Sequence, residues 1–379
     1  MAGPLSGLRI IELSGIGPGP FCGMMLADMG AEVIRIDRPG GNPFSAGGHS
    51  VLFRSRQSIA VNLKHEQGVE TVLKLCESAD AIFEGYRPGV AERLGVGPEA
   101  CMARNPKLVY GRMTGWGQDG PLAQSAGHDI NYISISGALH AMGRRGEKPA
   151  VPLNLVGDFG GGGMMLAYGM VCAMLEAQRS GKGQIIDSAM HEGSAALMAM
   201  FYGLRSNGLF TDERGTHMLD SGAPFYDAYE TKDGKYISIG SIEPQFYALL
   251  KEKAGLGADF DQQHNPNIWP EQKEKMAAIF LTKSRDEWCE LMAGTDVCFA
   301  PIMSLEEAPN HPHNVARGSF IKVGGEVQHA PTPRFSRTPS GTPEAMRRPG
   351  MDTRATLLSS GFSEEEVASL LSIGAVTQL

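Results

Sequence analysis

Up to Tyr110 the chain alternates short apolar runs with helical stretches, and glycine or proline marks most of the switches. Leu8-Arg9-Ile10-Ile11-Glu12-Leu13 reads as a strand, Gly15-Ile16-Gly17-Pro18-Gly19-Pro20 as a turn, Phe21 to Met29 as a helix closed by Gly30, and Glu32 to Ile36 as a second strand. Two strands joined through a helix run parallel, because the crossover returns the chain to the end of the sheet where it began. The pattern recurs: strand Ser58 to Leu63, helix Glu66 to Ser78, strand Ala81 to Phe83, helix Pro98 to Arg104, strand Leu108 to Tyr110. An α/β, Rossmann-like, mostly parallel sheet with helices on both faces follows.

A helix is expected from Asp158 to about Arg179, a strand from Gln184 to Asp187, and one further helix from Met190 to Asn207. Thr211 to Pro224 is polar and glycine-containing and reads as a crossing between domains. Phe225 to Ile242 reads as a hairpin turning at Lys232-Asp233-Gly234-Lys235, since Asp-Gly supplies the left-handed turn that tight hairpins need. Helices follow near Pro244 to Lys253, Pro270 to Leu281 and Arg285 to Met292. The expected organisation is therefore a large domain over 1–210, a linker over 211–224, a smaller α+β domain over 225–317, and an extended return segment with a C-terminal helix over 318–379 that rejoins the large domain. That last helix starts at Ser363, with Glu366 completing a capping box. The stretch from Gly40 to Ser50 is glycine-rich and carries no motif.

Composition bounds the function. Apolar residues make up 42% and charged residues 20% of the chain, as in soluble globular proteins. The net charge of −8 argues against a broad nucleic-acid surface. Cys22, Cys76, Cys101, Cys172, Cys289 and Cys298 are widely spaced without a C-x-x-C pair, so buried free thiols, a reducing compartment and no zinc site are expected. The start lacks a basic region ahead of an apolar core, the run Met164 to Leu175 is too short to insert in a bilayer, and the end is not Ser-Lys-Leu, so a cytoplasmic protein is expected.

Two polar clusters carry the chemistry. One is Ala126-Gly127-His128-Asp129-Ile130-Asn131-Tyr132, read as a polar loop. The other is Asn154-Leu155-Val156-Gly157-Asp158-Phe159, followed by Gly160 to Gly163. Asp158 suits a helix N-cap, but each glycine costs about 1 kcal/mol against alanine within a helix, so a capping role alone leaves the run unexplained. A histidine, a carboxylate and a helix start with free N–H groups are parts for moving a proton beside a carbonyl group. Gly15 to Pro20 fails the G-x-G-x-x-G pattern, and its prolines remove N–H donors, which disfavours a dinucleotide. Arg38, Arg54, Arg56, Lys64, Arg87 and Arg93 cluster after successive strands, where such sheets collect phosphates. The absence of a G-x-S-x-G elbow disfavours serine hydrolysis.

These stretches, together with Ile34 to Gly40, Glu84 to Val90, Met218 to Pro224 and Ile242 to Tyr247, resemble the family III CoA-transferase superfamily, and within it the α-methylacyl-CoA racemase branch. The resemblance implies an interlocked homodimer with active sites shared between the large domain of one chain and the small domain of the other. It implies a CoA thioester held by Arg38, Val61, Asn62, Leu63, Lys64, Gly85, Tyr86, Arg87, Arg93, Gly127, Asp129, Ile130, Asn131 and Tyr132. It implies His128 and Asp158 as the catalytic pair, with the partner's Glu243 supporting His128. The activity implied is interconversion of (R)- and (S)-2-methylacyl-CoA by proton transfer at the α-carbon, in branched-chain fatty acid metabolism, with no cofactor beyond the CoA of the substrate, no metal, no nucleic acid and no membrane insertion. The alternatives are a CoA transferase of the same superfamily, with Asp158 as nucleophile, and a non-catalytic acyl-CoA binding protein.

Overall fold

A computed structural model describes residues 3–41 and 50–379, so most of the glycine-rich stretch Gly40 to Ser50 lies outside the described residues. The strands β1 (Arg9–Leu13), β2 (Glu32–Asp37), β3 (Gln57–Val61), β4 (Ala81–Glu84), β5 (Val109–Thr114) and β6 (Ile185–Ala189) are parallel neighbours in the order β3-β2-β1-β4-β5-β6. The short strand Val376–Thr377 joins β3 antiparallel at the edge. Alternate side chains feed two cores, as the two-residue strand period requires. Ile11, Leu13, Ile34, Ile36 and Ile82 pack on one face with Val72 and Leu75 of helix α2 (Glu66–Cys76), which follows α1 (Pro18–Asp28) in the chain. Ile10, Val33, Ala81, Phe83 and Val109 pack on the other with Cys22 and Leu26 of α1 and with Met170 and Met174 of the long helix Met165–Ser180. Helix α3 (Val90–Arg93), α4 (Pro98–Arg104) and α5 (Asp129–Ile135) complete the connections.

Between β1 and β4 the strand order reverses direction. The turns after these two strands diverge there, and a crevice opens outside their carboxyl ends.

The chain divides into two compact units. The first comprises 3–136, 153–197 and 318–379; the second comprises 137–152 and 198–317. The second unit thus takes residues that the sequence reading assigned to the large domain. The expected linker 211–224 lies wholly inside it, as a compact turn in which the Asp220 carboxylate accepts the N–H groups of Gly215, His217 and Gly222 at 2.7, 2.8 and 3.2 Å. The helix expected over 190–207 is two helices, Met190–Leu197 and Ala199–Ser206, broken at Met198 (φ −87°, ψ 7°). Within the second unit, Tyr226–Glu230 and Tyr236–Gly240 form the expected hairpin, and Phe299–Ile302 adds a third strand.

Within residues 318–349, Phe320–Val323 and Glu326–His329 pair as an antiparallel hairpin of extended strands. Ser363 and Glu366 make the expected capping box. Of the cysteines, Cys22, Cys76 and Cys101 are buried, whereas Cys172 and Cys298 are exposed. Leu155–Ser180 is a continuous helical stretch long and apolar enough to cross a membrane, with a mean hydropathy of 1.2, although Leu166, Met170 and Met174 are in the core under the sheet.

Candidate active site

The crevice at the reversal point is a cleft of about 580 Å³. Three turns form its walls: Gly15 to Gly19 after β1, Gly85 to Pro88 after β4, and Gly115-Trp116 after β5. Gly127, His128 and Tyr132 come in from α5, and Asn154 and Asp158 from the segment ahead of the long helix. The two polar clusters of the sequence therefore meet in one cleft.

Asp158 does not cap a helix. The helix begins at Leu155 and runs to Met164 with the wider π spacing, Phe159 N–H bonding Asn154 O at 3.3 Å. Asp158 sits in its first turn. One carboxylate oxygen accepts the Asn154 side-chain amide at 3.1 Å, and the Asp158 N–H donates to Asp129 Oδ1 at 2.6 Å. That N–H is therefore spent. Gly17 (φ 66°) makes room on the opposite side, since a Cβ there would lie 3.1 Å from Asp158 Oδ2. Burial pushes the Asp158 carboxyl above the ordinary range; the Asn154 amide opposes this, the Asp129 charge adds to it, and His128 opposes it.

The glycine run has a packing cause. A Cβ on Gly161 would lie 2.6 Å from Ser194 N, and one on Gly163 would lie 2.5 Å from Pro18 O. The π-helix is thus pressed against Met190–Leu197 on one side and α1 on the other, an approach only glycine allows.

His128 is exposed at the N-cap of α5, so its segment opens a helix and is no plain loop. Asn131 reaches back to the His128 N–H at 3.0 Å. The Tyr132 ring fills the space beside Gly115 and Gly127, donates its hydroxyl to Gly127 O, and meets Trp116 edge-on at 4.8 Å. Burial raises its phenol to about 12, so it stays neutral at physiological pH.

A second cleft of about 500 Å³ lies beyond Tyr86, which lines both. Asp37, Arg38 and Pro39 after β2, Val61 to Lys64 after β3, and Leu94 form its walls. Among the described residues, Arg38, Lys64, Arg87 and Arg93 have no carboxylate within ion-pair distance, and Arg38 Nε donates to Gly41 O at 2.6 Å.

Other expectations change. Arg54 and Arg56 are fully buried and bind no ligand: Arg54 bonds Asp28 at 2.5 and 3.0 Å, and Arg56 bonds Glu12. Gly23 permits the second pair, because a Cβ there would lie 2.4 Å from Arg56 Nη1. Asp129 is buried and serves as the clamp on Asp158, outside both clefts. Ile130 and Asn131 are exposed and also line neither cleft, and Arg93 is exposed on α3 beside Gly89. Glu243 belongs to the second unit, where it is the exposed N-cap of Pro244–Ala254, with Pro244 opening the helix and no side-chain cap bond. The sequence reading passed over Asn154 as a site residue, although its place four residues before Asp158 on one helical face pointed to it. It also passed over Trp116, Glu84 and Arg112.

Residues 5–353 match the family described as CoA-transferase family III. The chain is 46% identical to mouse alpha-methylacyl-CoA racemase, over 97% of this chain and 96% of that protein, and 44% identical to the human racemase over the same shares. It is 31% identical to a succinyl-CoA–D-citramalate CoA-transferase of Chloroflexus aurantiacus, covering 97% and 96% of the two chains. A CAIB/BAIF family protein from Brucella suis superposes with a TM-score of 0.82 at 24% identity, covering 95% of this chain and 100% of that one. The family match over residues 5–353 and these relatives show that the chain belongs to CoA-transferase family III.

Proposed function

We propose that this protein interconverts (R)- and (S)-2-methylacyl-CoA thioesters. The observation that carries the reading is one cleft receiving an exposed imidazole from α5 and, from a separate element, a carboxyl made more basic than usual by burial. Curated relatives named alpha-methylacyl-CoA racemase, at 46% and 44% identity, support it over the transferases near 30%.

The chemistry follows from the substrate. The thioester carbonyl acidifies the α-carbon, because the electron pair left on deprotonation delocalises onto oxygen as an enolate. Either His128 or Asp158 takes the proton from one face, and the other, already protonated, returns a proton to the opposite face. Reversing direction exchanges the roles. The raised Asp158 carboxyl is suited to both, as a stronger base than an ordinary carboxylate and an acid still able to give its proton back. The first-turn N–H groups of α5, at Asp129 and Ile130, have no acceptor within the helix and supply donors beside His128 for the enolate oxygen.

The CoA moiety runs from this cleft past Tyr86 into the second, where Arg38 and Lys64 meet its phosphates. No metal or further cofactor enters the reaction. The functional unit is a homodimer in which Glu243 of the partner subunit supports His128. A transferase, with Asp158 as nucleophile, leaves the histidine in the cleft without a task.

Incubation of one epimer of a 2-methylacyl-CoA in deuterated water tests the reading. Deuterium enters the α-position as the epimers equilibrate, without added metal or acceptor. Strict dependence on a second CoA acceptor, with no deuterium at the α-carbon, establishes the transferase instead.

A further inference from the structure

The turn Gly85-Tyr86-Arg87 lies at the junction of the two clefts. It springs from Glu84, the last residue of β4, whose side chain is fully buried. Glu84 Oε2 accepts the Tyr86 N–H at 2.5 Å, and Oε1 accepts Arg112 Nε from β5 at 3.2 Å. The Arg112 guanidinium continues to Glu92 of α3 through two nitrogens, at 2.8 and 3.3 Å. One carboxylate thus fixes the start of the turn, and one cation ties it to the helix that follows. Glu84, Arg112 and Glu92 line neither cleft, so they act on a ligand only through the turn.

We propose that Glu84 is a positioning residue for the CoA moiety: its ionised carboxylate, held by Arg112, keeps the Gly85-Tyr86-Arg87 turn in its receiving shape, and protonation releases it. The proposal rests on the reading that CoA occupies these two clefts. Physically, a neutral carboxyl accepts the Tyr86 N–H more weakly than a carboxylate does, and it leaves the nearly buried Arg112 charge with one partner in place of two.

The groups facing Glu84 are Arg112 and Tyr110 from β5, Glu92 from α3, and Tyr86 from the turn. Burial pushes the Glu84 carboxyl up; the Tyr86 N–H and Arg112 pull it back and Glu92 adds to the rise, leaving it at about 7. Burial raises Tyr86 to about 12 and Tyr110 higher still, so both stay neutral. Burial pushes Glu92 up too, but backbone N–H groups and Arg112 outweigh it and hold that carboxyl low. Glu84 is therefore the member of the group that changes charge near neutrality.

The test is KM and kcat for one 2-methylacyl-CoA epimer from about pH 6 to 8.5, on the full-length protein. In the wild type, KM rises about tenfold as pH falls through the Glu84 transition, the scale of one charge-assisted hydrogen bond, and the change is carried by KM more than by kcat. Glu84→Gln is neutral throughout, so its KM at pH 8 is about tenfold above wild type and lacks that transition. Glu92→Gln moves the transition to lower pH, because it removes a charge that raises Glu84 and frees Arg112 to it. CoA phosphates titrate alike in every assay, so the differences between proteins carry the result.

A wild-type KM at pH 8 in Glu84→Gln, or an unmoved transition in Glu92→Gln, overturns the proposal. Glu92 is at the surface, so the direction of its shift decides the matter even where Glu84→Gln fails to fold. Arg38→Ala separates the two possible failures. If it raises KM while Glu84→Gln does not, the positioning role is wrong. If Arg38→Ala leaves KM unchanged, CoA lies elsewhere and the proposal falls with that reading.

Discussion

Replacing Gly157 by alanine should disable the site while leaving the fold standing. A Cβ at Gly157 would lie 2.5 Å from Asp129 Oδ1, 2.9 Å from its Cγ and 3.1 Å from Ile133 Cγ2. Ordinary contact begins at 3.4 Å, so the groups must part by 3.4 − 2.5 = 0.9 Å. Asp129 cannot yield freely. It is buried, it holds the Asp158 N–H at 2.6 Å, and it opens α5 directly after His128. If its side chain swings aside, Asp158 loses its clamp. If the helix start moves, His128 moves with it.

Either response shifts one member of the proposed catalytic pair against the other by close to 1 Å, a misplacement that costs on the order of 10²-fold in rate. Stability changes far less. The crowded contact or the lost hydrogen bond costs about 1–3 kcal/mol, and alanine's helix preference returns about 1 kcal/mol, for a net loss of about 0–2 kcal/mol. The assay pairs α-deuterium incorporation at saturating substrate with urea unfolding. A folded Gly157→Ala protein whose kcat stays within about threefold of wild type would refute the reasoning, because the clamp would then not set the geometry of the pair.

Two further outcomes follow from other parts of the molecule. Arg56→Ala leaves Glu12 buried without its cation and should lose roughly 3–5 kcal/mol in urea unfolding; a loss under about 1 kcal/mol would show that the buried pair contributes nothing net. If the functional unit shares its sites between chains, a purified heterodimer of His128→Ala and Glu243→Ala chains, made by co-expression, holds one doubly damaged and one intact site and recovers about half the wild-type dimer's activity; activity no better than either parent homodimer would remove Glu243 from the partner's site.

The sheet was legible because its strands are buried on both faces. That condition writes continuous apolar runs such as Ile10-Ile11 and Val33-Ile34 into the chain, and the intervening helices force parallel pairing. The cleft followed from topology, since a reversal of strand order places the ligand whatever the residues are. The domain boundary was not legible. Its cause is the break at Met198 and the Asp220-centred turn, which are long-range packing choices within a stretch that reads locally as one helix and a linker.

The arginines just before β3 misled for a related reason. Arg54 and Arg56 resemble surface cations until their partners are known, and those partners, Asp28 and Glu12, are distant in sequence. The glycine run was singled out because a cap alone does not explain it, and its cause is close helix packing, which a single sequence records in the same letters as a ligand-binding turn.

Four acidic residues near the clefts show how environment, not residue type, assigns the proton chemistry. Asp37 is buried against Arg35 and the Ser58 hydroxyl, at 2.8 and 2.6 Å, so its charge is committed. Glu84 has a cation and a backbone N–H and is committed to the turn that begins at Tyr86. Asp129 gives one oxygen to the Asp158 N–H, is buried and lines neither cleft. Asp158 alone among the four lines the first cleft, half-buried, with the neutral Asn154 amide as its side-chain partner and, among the described residues, no cation within ion-pair distance. At Asp37 and Glu84 taking up a proton forfeits an arginine contact, and at Glu84 it also loosens the turn, so neither is suited to passing a proton to and fro as an unpaired carboxylate is. One held by a neutral amide and pushed up by burial loses little on protonation and regains it on release. Asp129 sharpens the contrast: the residue that holds the Asp158 N–H also adds, through its own charge, to the rise that burial chiefly causes in that carboxyl, so one buried neighbour contributes to both geometry and basicity.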